Sequence, residues 1–369
     1  MLNLLVARPD GYDVSVIFAE SGPMVARFEE HGIPVRVLPM DELAVSARRG
    51  GSGVLLRLKE LRSLVRYAGR LRGALSADEC DVVVGRSLKA ALYGSLASLG
   101  RRNTFVWCLH DRLSQEYLGR TAVFWSVVLP RFVDGVVANS RSTLETVRPG
   151  GRPHLVLPPV GTPVSRSATH AGGPLRVLSL ARLAPWKGQD VLLRAFATQL
   201  KGGSARLTIA GAALFGEQDF EAALRVLAAE LGVEDQVTFV GQVDDVEELL
   251  VTHDVVVHSS VIPEPFGLVV TEGMAAGCVV VATSPGGPAE VITHGVTGLL
   301  VPGGDVDAMA GALRRVEAMS PAERQQMGRA AREVVRRAYA PDALAGRYLA
   351  WLASVPRLRA GRGRSRRCA

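Results

Sequence analysis

Apolar residues in this chain gather in short, valine-rich runs that alternate with stretches spaced for helices. In the first half the runs predict strands over residues 14–18, 35–38, 82–84, 104–109 and 135–138. Residues 55–75 predict one long amphipathic helix, with Leu56, Leu61, Leu64, Val65, Ala68 and Leu71 on one face and arginines beside it. A second series predicts strands over 176–179, 205–210, 237–240, 255–258, 279–282 and 298–301. Helices are expected between them, over 189–200, 220–231, 245–251, 267–276 and 307–319. Strand and helix in regular turn is the pattern of parallel sheets covered by helices, so the expected fold class is α/β.

Between the two series the texture changes. Pro149 to Pro174 holds six prolines and several glycines with no periodicity, a linker composition. The chain is thus expected to divide into a Rossmann-like domain over 1–160, a linker over 161–174 and a second Rossmann-like domain over 175–335. Helices over 336–356 are expected to pack back toward the first domain, and the Gly-, Ser- and Arg-rich stretch 357–369 to be a disordered basic tail. In such sheets ligands bind outside the carboxyl ends of strands, against helix N-termini, so the two domains are expected to face a central cleft.

Composition narrows the picture. The 369 residues suit two domains, and 48% hydrophobic with 21% charged residues is ordinary globular usage. No apolar run approaches the roughly 18 residues of a membrane span. The first residues carry neither a basic segment nor a cleavage site, so no signal peptide is expected. Cys80, Cys108, Cys278 and Cys368 show no paired spacing, which reads as reduced thiols in a cytoplasmic protein, with Cys108 and Cys278 buried. The net charge of +7 is local: Arg48 to Arg72 holds eight Arg and Lys against Glu60 alone, and the tail Arg357 to Arg367 six arginines. Gly161 to Pro356, by contrast, counts 16 basic and 21 acidic residues. With no interleaved aromatics and no recognition motif, nucleic acid is not an expected partner. The basic helix leaves two readings open, peripheral docking on anionic lipid at the inner face of the membrane or a plain solvated helix.

The candidate chemistry lies in the second series. Glu264-Pro265-Phe266-Gly267-Leu268-Val269-Val270-Thr271-Glu272 follows a strand and opens a helix. A tight turn there leaves the amides of Gly267, Leu268 and Val269 unpaired at the helix start, where an anion such as a diphosphate is favoured. Glu272 is placed to accept hydrogen bonds from a ribose diol, and Glu264 stands at the mouth where a sugar ring would sit. Each carboxylate alone would read as a surface group. A second loop, Ser179-Leu180-Ala181-Arg182-Leu183-Ala184-Pro185-Trp186-Lys187-Gly188, projects Arg182 and Lys187 toward the same sheet edge, two cations suited to a departing diphosphate. The glycines of Thr283-Ser284-Pro285-Gly286-Gly287-Pro288-Ala289-Glu290 permit close backbone approach, or serve an ordinary turn. In the first domain His110 ends a predicted strand, a position that brings a functional reading beside the structural one usual for a lone histidine. Asp244-Asp245 reads as helix capping rather than as a metal site.

In order, Arg182, Lys187-Gly188, Phe239-Val240-Gly241, Glu264-Pro265-Phe266-Gly267 with Glu272-Gly273, Gly277, Ser284-Pro285-Gly286-Gly287 with Glu290, and Gly298 resemble the retaining glycosyltransferases of family four, whose hallmark is two glutamates separated by seven residues. The resemblance runs from residue 14 to the last helix and is strongest over 178–302. It implies the GT-B fold, with an acceptor-side first domain and a nucleotide-sugar-binding second domain. It also implies transfer of a sugar from a nucleotide-diphosphate-sugar co-substrate to a hydroxyl of a glycan, lipid-linked or small-molecule acceptor, with no cofactor and no metal. Arg182 and Lys187 would contact the donor phosphates, and Glu264 with the backbone of Phe266, Gly267, Leu268 and Val269 the sugar and diphosphate. Glu272 would meet the ribose, the Gly241 loop the base, and His110 the sugar or acceptor.

One departure stands at the front. Family members begin with a strand, a glycine-rich loop and a helix before the segment matching residues 10–18. Here residues 2–7 resemble the end of that helix, so the first strand and its loop are expected to be missing. That keeps a donor-binding pseudoenzyme or interaction subunit in view as the alternative, beside a nucleotide-sugar epimerase or sugar phosphorylase of the same fold.

Overall fold

The computed structural model describes residues 2–40, 54–160, 164–168, 172–214 and 216–355, with side chains from residue 62 onward in the first long helix. The basic stretch 48–53, the side chains of Arg57 and Lys59, the 357–369 tail and Cys368 lie outside the described residues. The chain forms two compact units. One comprises residues 1–139, 143–157 and 341–369, the other 140–142 and 158–340.

The first unit begins with α1 (Leu2–Val6), β1 (Val16–Phe18), α2 (Pro23–Glu29), β2 (Val35–Val37) and the long α3 (Val54–Ala77). It continues through β3 (Val82–Gly85), α4 (Leu88–Ser98), β4 (Thr104–Leu109), α5 (Gln115–Leu118), α6 (Arg120–Val128), β5 (Gly135–Ala138), α7 (Arg141–Leu144) and β6 (His154–Val156). Strands β3, β4, β5 and β6 form a parallel sheet in that order, and β1 pairs with β2 in a separate parallel pair. Strand β6 falls inside the predicted first domain but is absent from the predicted strands: three residues between prolines are too few to show a period.

Helix α3 keeps its predicted face at Leu64, Ala68 and Leu71 and corrects it at Val65, while the side chains of Leu56 and Leu61 lie outside the described residues. Ser63, Tyr67, Ala68 and Leu75 are buried, while Val65 is 61% exposed. At 100° per residue Val65 lies a quarter-turn off the stripe through Leu64, Ala68, Leu71 and Leu75. Tyr67 fills that face and its hydroxyl donates to Leu38 O at 3.1 Å. Arg70 donates to Pro39 O, and Arg72 to Ala97 O and Leu99 O, so two of the helix's cations tie down neighbouring backbone. No helix among the described residues is long and apolar enough to cross a membrane.

The second unit holds β7 (Arg176–Leu180), α8 (Gln189–Leu200), β8 (Arg206–Ala210), α9 (Gln218–Glu230), β9 (Val237–Gly241), α10 (Val246–Thr252) and β10 (Val255–His258). Then come α11 (Leu268–Ala276), β11 (Val279–Ser284), α12 (Pro288–Val291), β12 (Leu299–Pro302), α13 (Val306–Ala318) and α14 (Pro321–Ala338). The last helix, α15 (Pro341–Ser354), belongs to the first unit, where Arg347 donates to Val156 O. The six strands are parallel in the order β12-β11-β10-β7-β8-β9.

Both faces of this sheet are buried. Val177, Val255, Val257, Val279 and Val281 pack on one side, and Leu178, Val256, Val280 and Ala282 on the other. Alternate residues face opposite sides of a strand, so helices on both faces require unbroken apolar runs. The order reverses between β7 and β10. The loops that leave their carboxyl ends diverge there and open the crevice in which such sheets take ligands.

Candidate functional site

The two loops at this reversal carry the motifs singled out above. The β7 loop runs through a single 3-10 turn, Pro185–Lys187, to Gly188 at φ 66°. A Cβ on Gly188 would lie 2.1 Å from Ser259 O, so only glycine lets the β7 and β10 loops touch. Two bonds stitch them together: Val261 N donates to Trp186 O, and Ser259 Oγ to Lys187 O, both at 2.9 Å.

That contact brings Lys187 and Glu264 together. Lys187 Nζ lies 2.8 Å from Glu264 Oε2, and the side chains retain only 15% and 11% exposure. The same oxygen accepts from Ser260 Oγ at 2.8 Å, and His258 Nε2 stands 3.4 Å away. His258 is held in turn by Ser260 Oγ and Thr283 Oγ1, both at 3.2 Å, while Thr283 donates to Ser260 O. All of these contacts fall on Oε2; Oε1 accepts from no group among the described residues.

Burial alone would raise the Glu264 carboxyl. The hydrogen bond from His258 and the charge of Lys187 outweigh it and hold the carboxyl down to about 2. Because the folded value lies below the unfolded one, the stabilisation is complete above the ordinary value of 4.5 and is lost as pH falls toward 2. The stability difference between the wild type and Glu264→Gln is therefore expected to shrink from pH 5 to pH 2 in denaturant titrations. A difference independent of pH would contradict the ionised, paired state.

Helix α11 is capped by Gly267, which takes φ 82°, at its start and by Gly277 at its end. The amides of Gly267, Leu268 and Val269 donate to no acceptor among the described residues, while Val270 N is used by Gly267 O. Free N–H groups and the helix dipole give this end a partial positive charge. Phe266 is buried at 4% exposure and anchors the turn, Leu268 is exposed, and Glu272 is half-buried on the helix. The β11 loop braces the turn from behind: Gly287 N donates to Glu264 O at 2.9 Å, and Glu264 pairs with Gly286 in an isolated bridge.

Arg182 is drawn to the same indole as Lys187. Its guanidinium lies 5.7 Å from the Trp186 ring centre and Lys187 Nζ 4.1 Å, and Arg182 also pairs with Glu217 at 3.4 Å. Gly241 ends β9, and its carbonyl accepts from Gly211 N at 2.7 Å. Asp245 caps α10 by accepting from Glu248 N. Among the described residues no three His, Cys, Asp or Glu gather as a metal site.

His110 stands in the first unit, directly after β4. Asn139 Nδ2 donates to its carbonyl at 2.9 Å, and Arg86 reaches its ring, with Nε at 3.2 Å and Nη2 at 2.8 Å from Nε2. Burial first, and then the Arg86 charge, push His110 down to about 3. Its Nε2 is therefore an occupied acceptor on a neutral ring. Cys80, Cys108 and Cys278 are buried free thiols.

The sequence motifs did not reveal Ser259, Ser260, His258 or Arg86, and they held Thr283 only as the start of the glycine loop, without its contact to His258. The first three sit at a strand end where a polar run interrupts valines, the one signal that could have found them. Arg86 had only its place after a strand.

The sequence model of the family described as Glycosyl transferases group 1 matches residues 164–334, and that of the Glycosyl transferase 4-like domain matches residues 5–161. A GDP-mannose-dependent alpha-(1-6)-phosphatidylinositol monomannoside mannosyltransferase of Mycobacterium tuberculosis is 36% identical over 46% of this chain and 45% of that protein. A D-inositol 3-phosphate glycosyltransferase of Kribbella flavida is 38% identical over 42% of this chain and 38% of that protein. The chain thus spans about a third to a half of the length of the curated relatives it matches. Among solved structures, Anabaena Alr3699/HepE in complex with UDP and glucose superimposes with a TM-score of 0.78 at 26% identity, covering 96% of this chain and 95% of that one. Sucrose-phosphate synthase from Thermosynechococcus elongatus shares the fold, with a TM-score of 0.71 at 22% identity, over 95% of this chain and 88% of that one.

Proposed function

We propose, for a chain that belongs to the family-four-like GT-B glycosyltransferases, that the second unit binds a nucleotide-diphosphate-sugar and that the protein transfers its sugar, with retention and without a bound metal, to an acceptor hydroxyl. The observation that carries this reading is the pairing of Lys187 with Glu264 beside the free amides of α11. An arriving diphosphate offers Lys187 a second, more highly charged partner, while Ser260 and His258 keep their hold on Glu264 Oε2. Oε1 is then presented to the sugar. HepE, solved with UDP and with UDP-glucose, supports a nucleotide-sugar as the ligand.

In the reaction the bond from the sugar's anomeric carbon to the diphosphate oxygen breaks, and a bond from that carbon to the acceptor oxygen forms on the same face. The acceptor proton passes to the departing diphosphate oxygen. Lys187, Arg182 and the amides of Gly267, Leu268 and Val269 stabilise the charge that develops there, and Glu264 orients the sugar without forming a covalent intermediate. Glu272 holds the ribose and the Gly241 loop the base. His110, neutral down to about pH 3, acts through hydrogen bonds and not as a general base. The reaction belongs to the cytoplasm under this proposal, with peripheral contact at an anionic membrane surface for a lipid-linked acceptor.

Thermal unfolding with UDP, GDP, ADP and dTDP tests the donor site. One nucleotide is expected to stabilise the protein by about 2.7 kcal/mol at a hundred times its dissociation constant. Arg182→Ala and Glu272→Ala should each weaken that stabilisation. Unchanged binding in both variants would remove the assignment. Release of nucleotide from the matching sugar donor separates a transferase from a protein that only binds donor.

A further inference from the structure

We propose that Arg86 and His110 form an oxyanion-recognition pair at the carboxyl edge of the first unit's sheet, and that it takes the phosphate or carboxylate of an anionic acceptor. The inference rests on the reading of the first unit as the acceptor side.

Strands β3 and β4 are adjacent and parallel, and Arg86 and His110 are the first residues beyond their carboxyl ends. The two side chains therefore leave the sheet next to each other. A guanidinium only donates, so the contacts of 3.2 and 2.8 Å make His110 Nε2 the acceptor and leave the ring proton on Nδ1. No carboxylate pairs with Arg86 among the described residues. Protein packing lowers its pKa, and the groups that act on its charge are the Cys108 thiol and the Tyr348 phenol.

The result is a cation whose partner is neutral. The protons left over, on Arg86 Nη1 and Nη2 and on His110 Nδ1, are all donors, and the pair offers no acceptor in return. A ligand that satisfies such a set must bring acceptors and negative charge. A phosphate or carboxylate fits the planar fork of arginine with two parallel bonds, which a neutral sugar hydroxyl does not. Ser87, the next residue, is already engaged, accepting from Ala90 N at the start of α4. Arg86 therefore stands as the specificity residue of the pair, and His110 as the group it positions.

The test is nitrogen NMR of the histidine side chains in the full chain, with inorganic phosphate, lactate and neutral glycerol titrated separately at constant ionic strength in chloride. His258 lies in the Glu264 cluster and reports any phosphate that enters the donor site instead. The His110 Nε2 signal is expected to move with phosphate or lactate and not with glycerol, and the His110 pKa to rise as the anion offsets Arg86. Which of the two anions binds at lower concentration identifies the acceptor group. Arg86→Gln should weaken the response roughly tenfold or more, whereas Arg86→Lys retains it at reduced affinity. A His110 signal indifferent to both anions, or an Arg86→Gln response equal to wild type, would overturn the proposal. UDP, GDP, ADP and dTDP stabilisation measured on the same samples reads the donor site independently, so its loss indicts the transferase reading and its retention does not rescue this one.

Discussion

Glu264→Gln is expected to remove nearly all transfer and to loosen the second unit together. In the folded protein the Glu264 carboxylate meets Lys187, Ser260 and His258 at one oxygen with little water around it. The amide has no charge to offset Lys187, and breaking a buried pair on one side costs about 3 kcal/mol or more. For a unit of this size that corresponds to a fall of roughly 6–12 °C in Tm. Donor turnover should drop about 10²–10³-fold, as when a preorganised polar group is taken from an active site.

Lys187→Met separates the two effects. It leaves Glu264 with Ser260 and His258, so stability should suffer less while turnover falls comparably. The double variant decides whether the contact is energetic: the two stability losses should fall short of additivity by about 1–3 kcal/mol. Strict additivity would mean that the pair is a proximity without consequence.

Gly287→Ala is the second large effect, and it reaches the same site from behind. The backbone of Gly287 is in the right-handed helical region at φ −54°, so alanine is not strained there. The obstacle is space. An added Cβ would stand 2.3 Å from Phe266 Cα, 2.6 Å from Pro265 O and 2.8 Å from Phe266 O, and these backbone atoms have no rotamer to swing away. The Glu264–Gly267 turn must then shift, and with it the free amides at the start of α11. Overpacking of this kind costs about 3 kcal/mol, the upper end of its usual range. Nucleotide affinity should fall at least about a hundredfold, since the donors lose their geometry.

Gly202→Ala is the control. Gly202 follows α8 away from the site and has φ 74° with open space around its Cβ position, so alanine there meets only the left-handed penalty of about 1–2 kcal/mol. A Gly287→Ala protein no less stable and no weaker in nucleotide binding than Gly202→Ala would falsify the bracing role assigned to the β11 loop.

Much of this architecture was legible residue by residue. Strands β4, β5 and β10 and helix α8 have the bounds the sequence predicted, because valine runs buried on both faces and amphipathic turns leave a local signature. The glycines of the β11 loop were visible as places of close approach, though not what approaches. Val65 reads as part of the apolar face yet is exposed, because a hydrophobic residue a quarter-turn off the stripe is indistinguishable in composition from one on it. Strand β6 escaped because its three residues owe their conformation to pairing with β5, not to their own pattern.

The site divides along the same line. Glu264, Glu272, Arg182 and Lys187 could be singled out from loop position and residue type, and the family resemblance that carried them agrees with the matches to the group 1 and 4-like glycosyltransferase models. Their partners could not. Ser260 and His258 are separated from Lys187 by more than seventy positions, and they join it only because β7 and β10 are neighbours in the sheet.

The α/β class, most of the strand and helix series and the loops that carry chemistry follow from the amino-acid order alone, since these depend on periods and residue types read within a few positions. Tertiary structure alone decided that Lys187 and Glu264 neutralise one another and that His110 is gripped by Arg86. Charge pairing and protonation depend on distances of a few ångströms between strands far apart in the chain, and those distances exist only once the sheet order is set.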